Sequence, residues 1–373
     1  MNLETNIVKY SVPAKIMLAG EYSVLLGGSA LATTVEAYLN VEKRTSRLPD
    51  QGSHKPISKF IVNDRSKYHA PLFIDPSSNI EMMPKNMQLA ARSVKSYWSH
   101  DRIAATDDNP NSEHLCELTI DSQIPISFGI GSSSALVLAL CLATEHDGDQ
   151  EPSTRSALKR AFVIQRAAQN QIASGYDFIS QYCGGLVQTR PLTRGLEQWP
   201  GDFERVPQTS STLNEWVQAM VLKEEGGAPT TPTVSSVSAW LNQHNKSKEL
   251  LEIGDQLNLA FLYFFAHQSP TTWRDLCRSI RTLRQFFSDS PAHKFSEFSE
   301  MAKIRGCDVD WTFKTTGAGG RDAMLVIGPK ESRHSAENFL ESKGWMKLPF
   351  SFSDHGYSIS KLCDQKGDAH GKL

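Results

Sequence analysis

The sequence predicts an α+β protein of two domains, and three observations predict it. The chain has 373 residues, more than a single hydrophobic core usually serves. Its apolar residues change between a period of two and helical spacing several times along the chain. Proline and glycine crowd residues 190–215 (RPLTRGLEQWPGDFERVPQTSSTLNE), so the expected domains are 1–205 and 206–373.

Residues 7–44 read as strand, turn and strand. IVKYSVPAKIMLAGEYSVLLGG alternates and ends in two glycines, and ALATTVEAYLNVEKR continues in extended character. Residues 45–80 are loop-like, with short strands at KFIV and PLFI. PKNMQLAARSVKSYW has helical spacing, residues 101–114 are polar loop, and LCELTIDSQIP alternates as a strand. SALVLALCLATEH is apolar nearly all round and predicts a buried helix. STRSALKRAFVIQRAAQNQIASG opens on a Ser/Thr cap and closes on Gly, so it predicts a second helix. Beyond the junction, WVQAMVLKE reads as a strand and GGAPTTPT as a loop. Helices are expected over 233–244, 247–266, 271–288 and 293–305. WTFKTTGAGGRDAMLVIG reads as loop then strand, SRHSAENFLESKGW as a last helix and MKLPFSFS as a last strand.

Composition excludes several classes. With 39 basic and 41 acidic residues the net charge is −2, so no basic field points to nucleic acid or an anionic membrane. An anionic ligand must then be held by local donors. No apolar run reaches membrane-spanning length, and the start MNLETNIVKYSVPAK lacks the layout of a signal peptide. Cys116, Cys141, Cys183, Cys277, Cys307 and Cys363 are scattered without a CxxC pair, which fits free thiols and a cytoplasmic protein. Met17, Met220 and Met301 read as core filler. The eleven histidines show no metal-ligand spacing.

The chemistry concentrates in IPISFGIGSSSALVLAL, residues 124–140. A turn feeding a helix N-terminus presents backbone N–H groups without partners, and the helix dipole adds partial positive charge. Phosphate binds at such places, and glycine lets the backbone approach it. Gly129 and Gly131 shape the loop; Ser132, Ser133 and Ser134 offer hydroxyls to phosphate or Mg²⁺. The spacing is neither a P-loop nor a dinucleotide fingerprint. A serine cap behind a flexible glycine lead is the plainer alternative. A second glycine loop, KTTGAGGRD at 314–322, contains Gly317, Gly319 and Gly320.

Three segments, PAKIMLAGEYSVLLGG at 13–28, PISFGIGSSSALVLAL at 125–140 and KTTGAGGRDAMLVI at 314–327, resemble in order the three motifs of the GHMP kinase superfamily. The resemblance implies a ribosomal protein S5 domain 2-like N-terminal domain, a ferredoxin-like C-terminal domain and a site between them. It implies that residues 129–134 cradle the phosphates of ATP, with the 317–320 loop supporting them. Within the superfamily, SGYDFISQYCGGLV at 174–187, KEEGGAPTTPTVSSVSAW at 223–240, GAGGRD and GWMKLPFSFSDHGYSI at 344–359 are similar to the phosphomevalonate kinases. The activity so implied is ATP-dependent phosphotransfer to phosphomevalonate, giving diphosphomevalonate and ADP for isoprenoid precursors. Mevalonate kinase or another small-alcohol kinase is the alternative, and a non-catalytic ATP and metabolite sensor the rival from another class. The chain departs from the pattern at Arg321, Ala323, Ser134 and Lys223-Glu224-Glu225.

By this resemblance Lys15 and Asp177 are the expected catalytic residues. Lys15 lies in an apolar strand, where an inward lysine is costly without an anionic partner. Asp177 would orient the acceptor or take its proton, and with Ser133 it would hold Mg²⁺. An acceptor that is itself a phosphate arrives ionised and needs no strong base. Glu21, Tyr22, Ser174, Gly175, Thr230 and Thr231 are the expected substrate contacts, and Arg190, Arg194, Lys223 and Arg321 further phosphate candidates. Mevalonate kinases carry a metal-binding Glu on the helix before the Ser-Gly-x-Asp loop; VIQRAAQNQ has no acid there. The partner expected is a small molecule, with the protein itself a monomer or homodimer.

Overall fold

A computed structural model describes residues 4–47, 59–65, 70–99, 115–126, 128–145, 154–169, 173–190, 202–206, 210–222, 230–291, 296–317 and 323–362. Strands β1 (Glu4–Ala19) and β2 (Ala30–Arg47) form a long antiparallel pair, joined through a 3-10 turn at Ser23–Leu26. β3 (Lys59–Asp64) and β4 (Leu72–Ile74) follow, then α1 (Gln88–Lys95) and β5 (Leu115–Ser122). Three helices come next, α2 (Ser132–Glu145), α3 (Thr154–Ala168) and α4 (Tyr176–Cys183). β6 (Leu186–Thr189), β7 (Phe203–Val206), α5 (Ser210–Trp216) and β8 (Val217–Leu222) lead into three more helices: α6 (Thr230–Gln243), α7 (Ser247–His267) and α8 (Pro270–Phe287). The chain continues through α9 (Ser296–Met301), β9 (Thr312–Thr316), β10 (Ala323–Ile327) and α10 (Lys330–Ser342). It ends in β11 (Trp345–Lys347), β12 (Phe352–Ser353) and β13 (Ser358–Leu362).

These strands make two sheets. The first runs β13-β1-β2-β5-β3-β4, with β12 and β6 also on β2 and β7 on β6. The second is β11-β8-β10-β9, antiparallel throughout. Its strands alternate between two cores, as a period of two demands. Val217, Ala219, Val221, Ala323, Leu325 and Ile327 face the core shared with the long helices. Met220, Leu222, Met324 and Val326 face a second core with Ala336 and Leu340 of α10. Both faces are covered, which explains why β10 is buried from end to end.

The apolar run after the glycine loop does form a helix buried all round, from Ser134 to Glu145. α2 packs between α1, α3 and α4 and on the β1–β2 ribbon. Helix α8 begins where Ser269 and Thr272 make a reciprocal capping box with Pro270 at the first position. Met17, Met220 and Met301 are core residues.

Several elements differ from the sequence reading. The helix expected over 293–305 is the shorter α9. The Pro- and Gly-rich junction contains β7 and the start of α5. MKLPFSFS is not one strand: Trp345–Lys347 pairs with β8, and Phe352–Ser353 crosses to β2 of the first sheet. Pro349 between them has no N–H for a ladder, so the chain changes sheets there.

Candidate functional site

The glycine loop meets the first strand directly. The Lys15 backbone N–H donates to the Ile130 carbonyl at 2.9 Å. Gly129 and Gly131 have φ of +67° and +84°, the left-handed region that glycine adopts without strain. At Gly131 a side chain would also be crowded, since a Cβ would lie 3.0 Å from Lys15 Cε. Two side chains hold the loop in this form. Ser134 Oγ donates to the Gly131 carbonyl at 3.0 Å, and Gln181 Nε2 of α4 donates to the same oxygen at 3.0 Å. Ser134 is therefore buried and engaged with the loop itself, whereas Ser132 is half-buried and Ser133 exposed at the helix start.

Beside the loop lies a buried charge cluster. Lys15 Nζ is 2.7 Å from Asp177 Oδ1, 2.7 Å from the Tyr176 hydroxyl and 3.5 Å from the Gly129 carbonyl. Burial works against the Lys15 ammonium, but Asp177 and Tyr176 more than offset it and hold its pKa above the ordinary lysine value. Burial likewise pushes the Tyr176 phenol up, with Asp177 adding to it. Asp177 sits in the first turn of α4, after Ser174 and the N-cap Gly175 with φ +84°. Its side chain keeps 24% exposure, so it reaches both the lysine and solvent.

A second pair joins the two sheets. Glu21, just past β1, forms a buried ion pair with Lys314 of β9 through Oε1. Lys314 also donates to the Thr315 carbonyl at 2.7 Å. Burial pushes the Glu21 carboxyl up and the Lys314 ammonium down, each against the pull of the other. Glu21 Oε2 is buried without a hydrogen-bond partner among the described residues. Lys15 is near enough for its charge to act on Glu21. Thr316 Oγ1 fastens the same strand to β1, accepting from Met17 N–H at 3.1 Å and donating to its carbonyl at 2.7 Å.

The structure thus brings Lys15, Gly129, Gly131, Ser132–Ser134, Asp177 and Glu21 into one region. Gly317, with φ +69°, turns the chain at the end of β9. Tyr22 is a core residue, its ring 5.5 Å from that of Phe287. Thr230 and Thr231 open α6, with side chains outside the described residues. Gly319 and Gly320 lie outside them too, as do Arg194, Lys223 and Arg321. Arg190 is exposed, its N–H donating to the Asp202 carbonyl. Sequence reasoning missed Tyr176, Gln181 and Lys314. The signal that marked Lys15, a lysine inside an apolar strand, is present at Lys314 as well.

The site can hold anionic groups through loop N–H donors, the start of α2 and Lys15. Among the described residues no three His, Cys, Asp or Glu side chains cluster as a metal site. α3 (TRSALKRAFVIQRAA) carries no acid. The groups at the loop and at the start of α4 that could hold a cation are Asp177 and the Ser132 and Ser133 hydroxyls. That suits Mg²⁺, which commonly binds through one or two carboxylates and its ligand's phosphates.

Residues 95–185 match the family of GHMP kinases N terminal domains. The mevalonate kinase of Pyrococcus abyssi is 27% identical over 95% of this chain and 98% of its own length. The Streptococcus pneumoniae phosphomevalonate kinase solved with phosphomevalonate and AMPPNP superposes with a TM-score of 0.66 and 14% identity, covering 92% of this chain and 99% of that one. The Methanococcus jannaschii mevalonate kinase superposes with a TM-score of 0.63 and 15% identity, covering 92% and 98%. Among the described residues no helix is long and apolar enough to cross a membrane.

Proposed function

We propose that the chain, whose residues 95–185 match the GHMP kinases N terminal domain family, is a kinase of that superfamily that transfers the γ-phosphoryl group of ATP to phosphomevalonate, giving diphosphomevalonate and ADP. The observation that carries this reading is the Lys15–Asp177 ion pair, 2.7 Å long, beside a glycine loop that opens a buried helix. Phosphoryl transfer asks for positioning and charge neutralisation rather than covalent help from the protein. The loop N–H groups at 129–134 hold the phosphates, and the Lys15 ammonium stabilises charge on the group in transfer. An oxygen of the acceptor's ionised phosphate forms the new bond to the γ-phosphorus. The bond from that phosphorus to the β,γ-bridging oxygen breaks, and ADP leaves with its electron pair. No proton has to leave the acceptor. Asp177, already paired with Lys15, orients rather than deprotonates. Asp177 and Ser133 would hold Mg²⁺ together with the phosphates, and the ion would supply neutralising charge when bound. Glu21, Ser174, Gly175, Thr230 and Thr231 are the proposed acceptor contacts.

A second reading is supported by the name of the Pyrococcus abyssi relative, which matches along nearly its whole length. There the acceptor is the hydroxyl of mevalonate, and its proton passes to Asp177. The test is ADP release with ATP and Mg²⁺ against phosphomevalonate, mevalonate, homoserine and galactose. Turnover with phosphomevalonate alone is the expected result. Turnover with mevalonate alone replaces the first reading by the second. Binding of AMPPNP without turnover on any acceptor refutes both and makes the protein a sensor.

A further inference from the structure

The hydroxyl of Tyr176 is a partner of Lys15 that the reaction described above does not use. A lysine ammonium has three N–H donors. Two of those on Lys15 have close acceptors, Asp177 Oδ1 at 2.7 Å and the Tyr176 oxygen at 2.7 Å. The third neighbour is the Gly129 carbonyl at 3.5 Å, too far for a strong bond. Tyr176 cannot easily turn away. Its ring is buried among Met17, Ala30 and Ala32, and the Asp177 carboxylate is near enough for its charge to act on the phenol. The phenol oxygen therefore accepts from the lysine while Asp177 accepts from the same ammonium, so two acceptors share one charge.

We propose that Tyr176 is a positioning residue that, together with Asp177, takes two of the Lys15 protons and aims the third at the glycine loop, where the transferred phosphoryl group lies. This rests on the reading of residues 129–134 as the phosphate loop. An apolar residue at 176 would leave the ammonium one strong partner and freedom to turn about its terminal bond. A charge fixed in place before the ligand arrives needs no reorganisation during the reaction. A donor misplaced by about 1 Å costs roughly a hundredfold in rate.

Tyr176→Phe keeps the ring and removes the hydroxyl. The expected result is a fall in kcat of about 10- to 100-fold. The Kd for AMPPNP and the KM of the acceptor should stay within about threefold of wild type, because ground-state binding is untouched. With Asp177→Asn added, the combined loss should be smaller than the product of the two single losses, since both act through one ammonium. Wild-type kcat in Tyr176→Phe overturns the proposal, and so does a loss confined to AMPPNP affinity. Wild-type protein allows a second measurement that needs no substitution. The ¹⁵N-bound ammonium protons of Lys15 should exchange slowly and shift when AMPPNP is added. No shift in a protein that binds AMPPNP overturns the aimed proton. The two levels of the reading fail differently. Wild-type protein that turns over no acceptor brings down the kinase reading and this proposal with it. An active wild type with an equally active Tyr176→Phe brings down this proposal alone.

Discussion

Gly131→Ala tests whether the glycine loop is shaped for a ligand or is merely a turn. Two costs are readable from the structure. The residue has φ +84°, and an alanine held in the left-handed region costs about 1–2 kcal/mol. The new methyl would also stand 3.0 Å from Lys15 Cγ and Cε and 3.1 Å from Gln181 Nε2. Ordinary contact begins near 3.4 Å, so Lys15 must retreat by about 0.4 Å. It has little room, since its Nζ is fixed at 2.7 Å by both Asp177 and Tyr176. Scaled from about a hundredfold per ångström, that retreat costs on the order of tenfold in kcat. The backbone strain alone lowers Tm by about 1–3 °C for a chain of this size. Gly344→Ala is the control. It carries the same kind of strain at φ +88° but meets nothing within 4 Å. Both variants should melt slightly early, while only Gly131→Ala should lose ADP release and stabilisation by AMPPNP. Equal activity in the two variants would refute the reasoning, because the loop would then tolerate a methyl where the phosphates are placed.

The remaining expectations concern contacts that hold the fold together. Lys314→Met leaves the Glu21 carboxylate buried and unpaired and should cost about 3–5 kcal/mol, whereas adding Glu21→Gln should recover part of it in thermal melts. Gly184→Ala places a Cβ 2.0 Å from the Gly356 nitrogen at φ +71°, so it should cost about 3 kcal/mol or more and expose residues 352–362 to limited proteolysis. Burial raises the Glu337 carboxyl, but Lys347 and Arg333 more than offset it and hold it below the ordinary glutamate value. A depressed carboxylate stabilises the fold above its unfolded pKa and loses that as pH falls through the folded value. The Tm gap between wild type and Glu337→Gln should be full above about pH 5 and should shrink below about pH 4.

How much of this was legible in the sequence depends on the range of the signal. The loop at 129–134 and the buried helix behind it are local, written in adjacent glycines, serines and an unbroken apolar run. Lys15 was legible because a charge inside an apolar strand demands a partner. Asp177 was named through the motif, but not as the partner of Lys15, since it lies far along the chain. Tyr176 was not legible: a tyrosine beside apolar residues reads as core, and its hydroxyl meets a lysine 161 positions away. The Glu21–Lys314 pair spans 293 positions and needs the two sheets docked before it exists. The contact of Gly184 with Gly356 is likewise a product of β12 and β13 returning to the first sheet.

The sequence totals nevertheless set a condition that the site meets in an unexpected way. A net charge of −2 requires that an anionic ligand be held by local donors. Among the described residues two lysines stand in the region, and each is paired. Lys15 is paired with Asp177 and Lys314 with Glu21, so each pair is close to neutral before any ligand arrives. On the proposed reading, simple attraction of a nucleotide by the positive side chains of these two pairs would be a small part of binding. The loop N–H groups, the start of α2 and one aimed lysine proton must do most of it, and these act only at short range. Affinity for AMPPNP should then depend weakly on salt. A steep loss of affinity between about 50 and 500 mM salt would place the binding charge on surface residues outside this cluster.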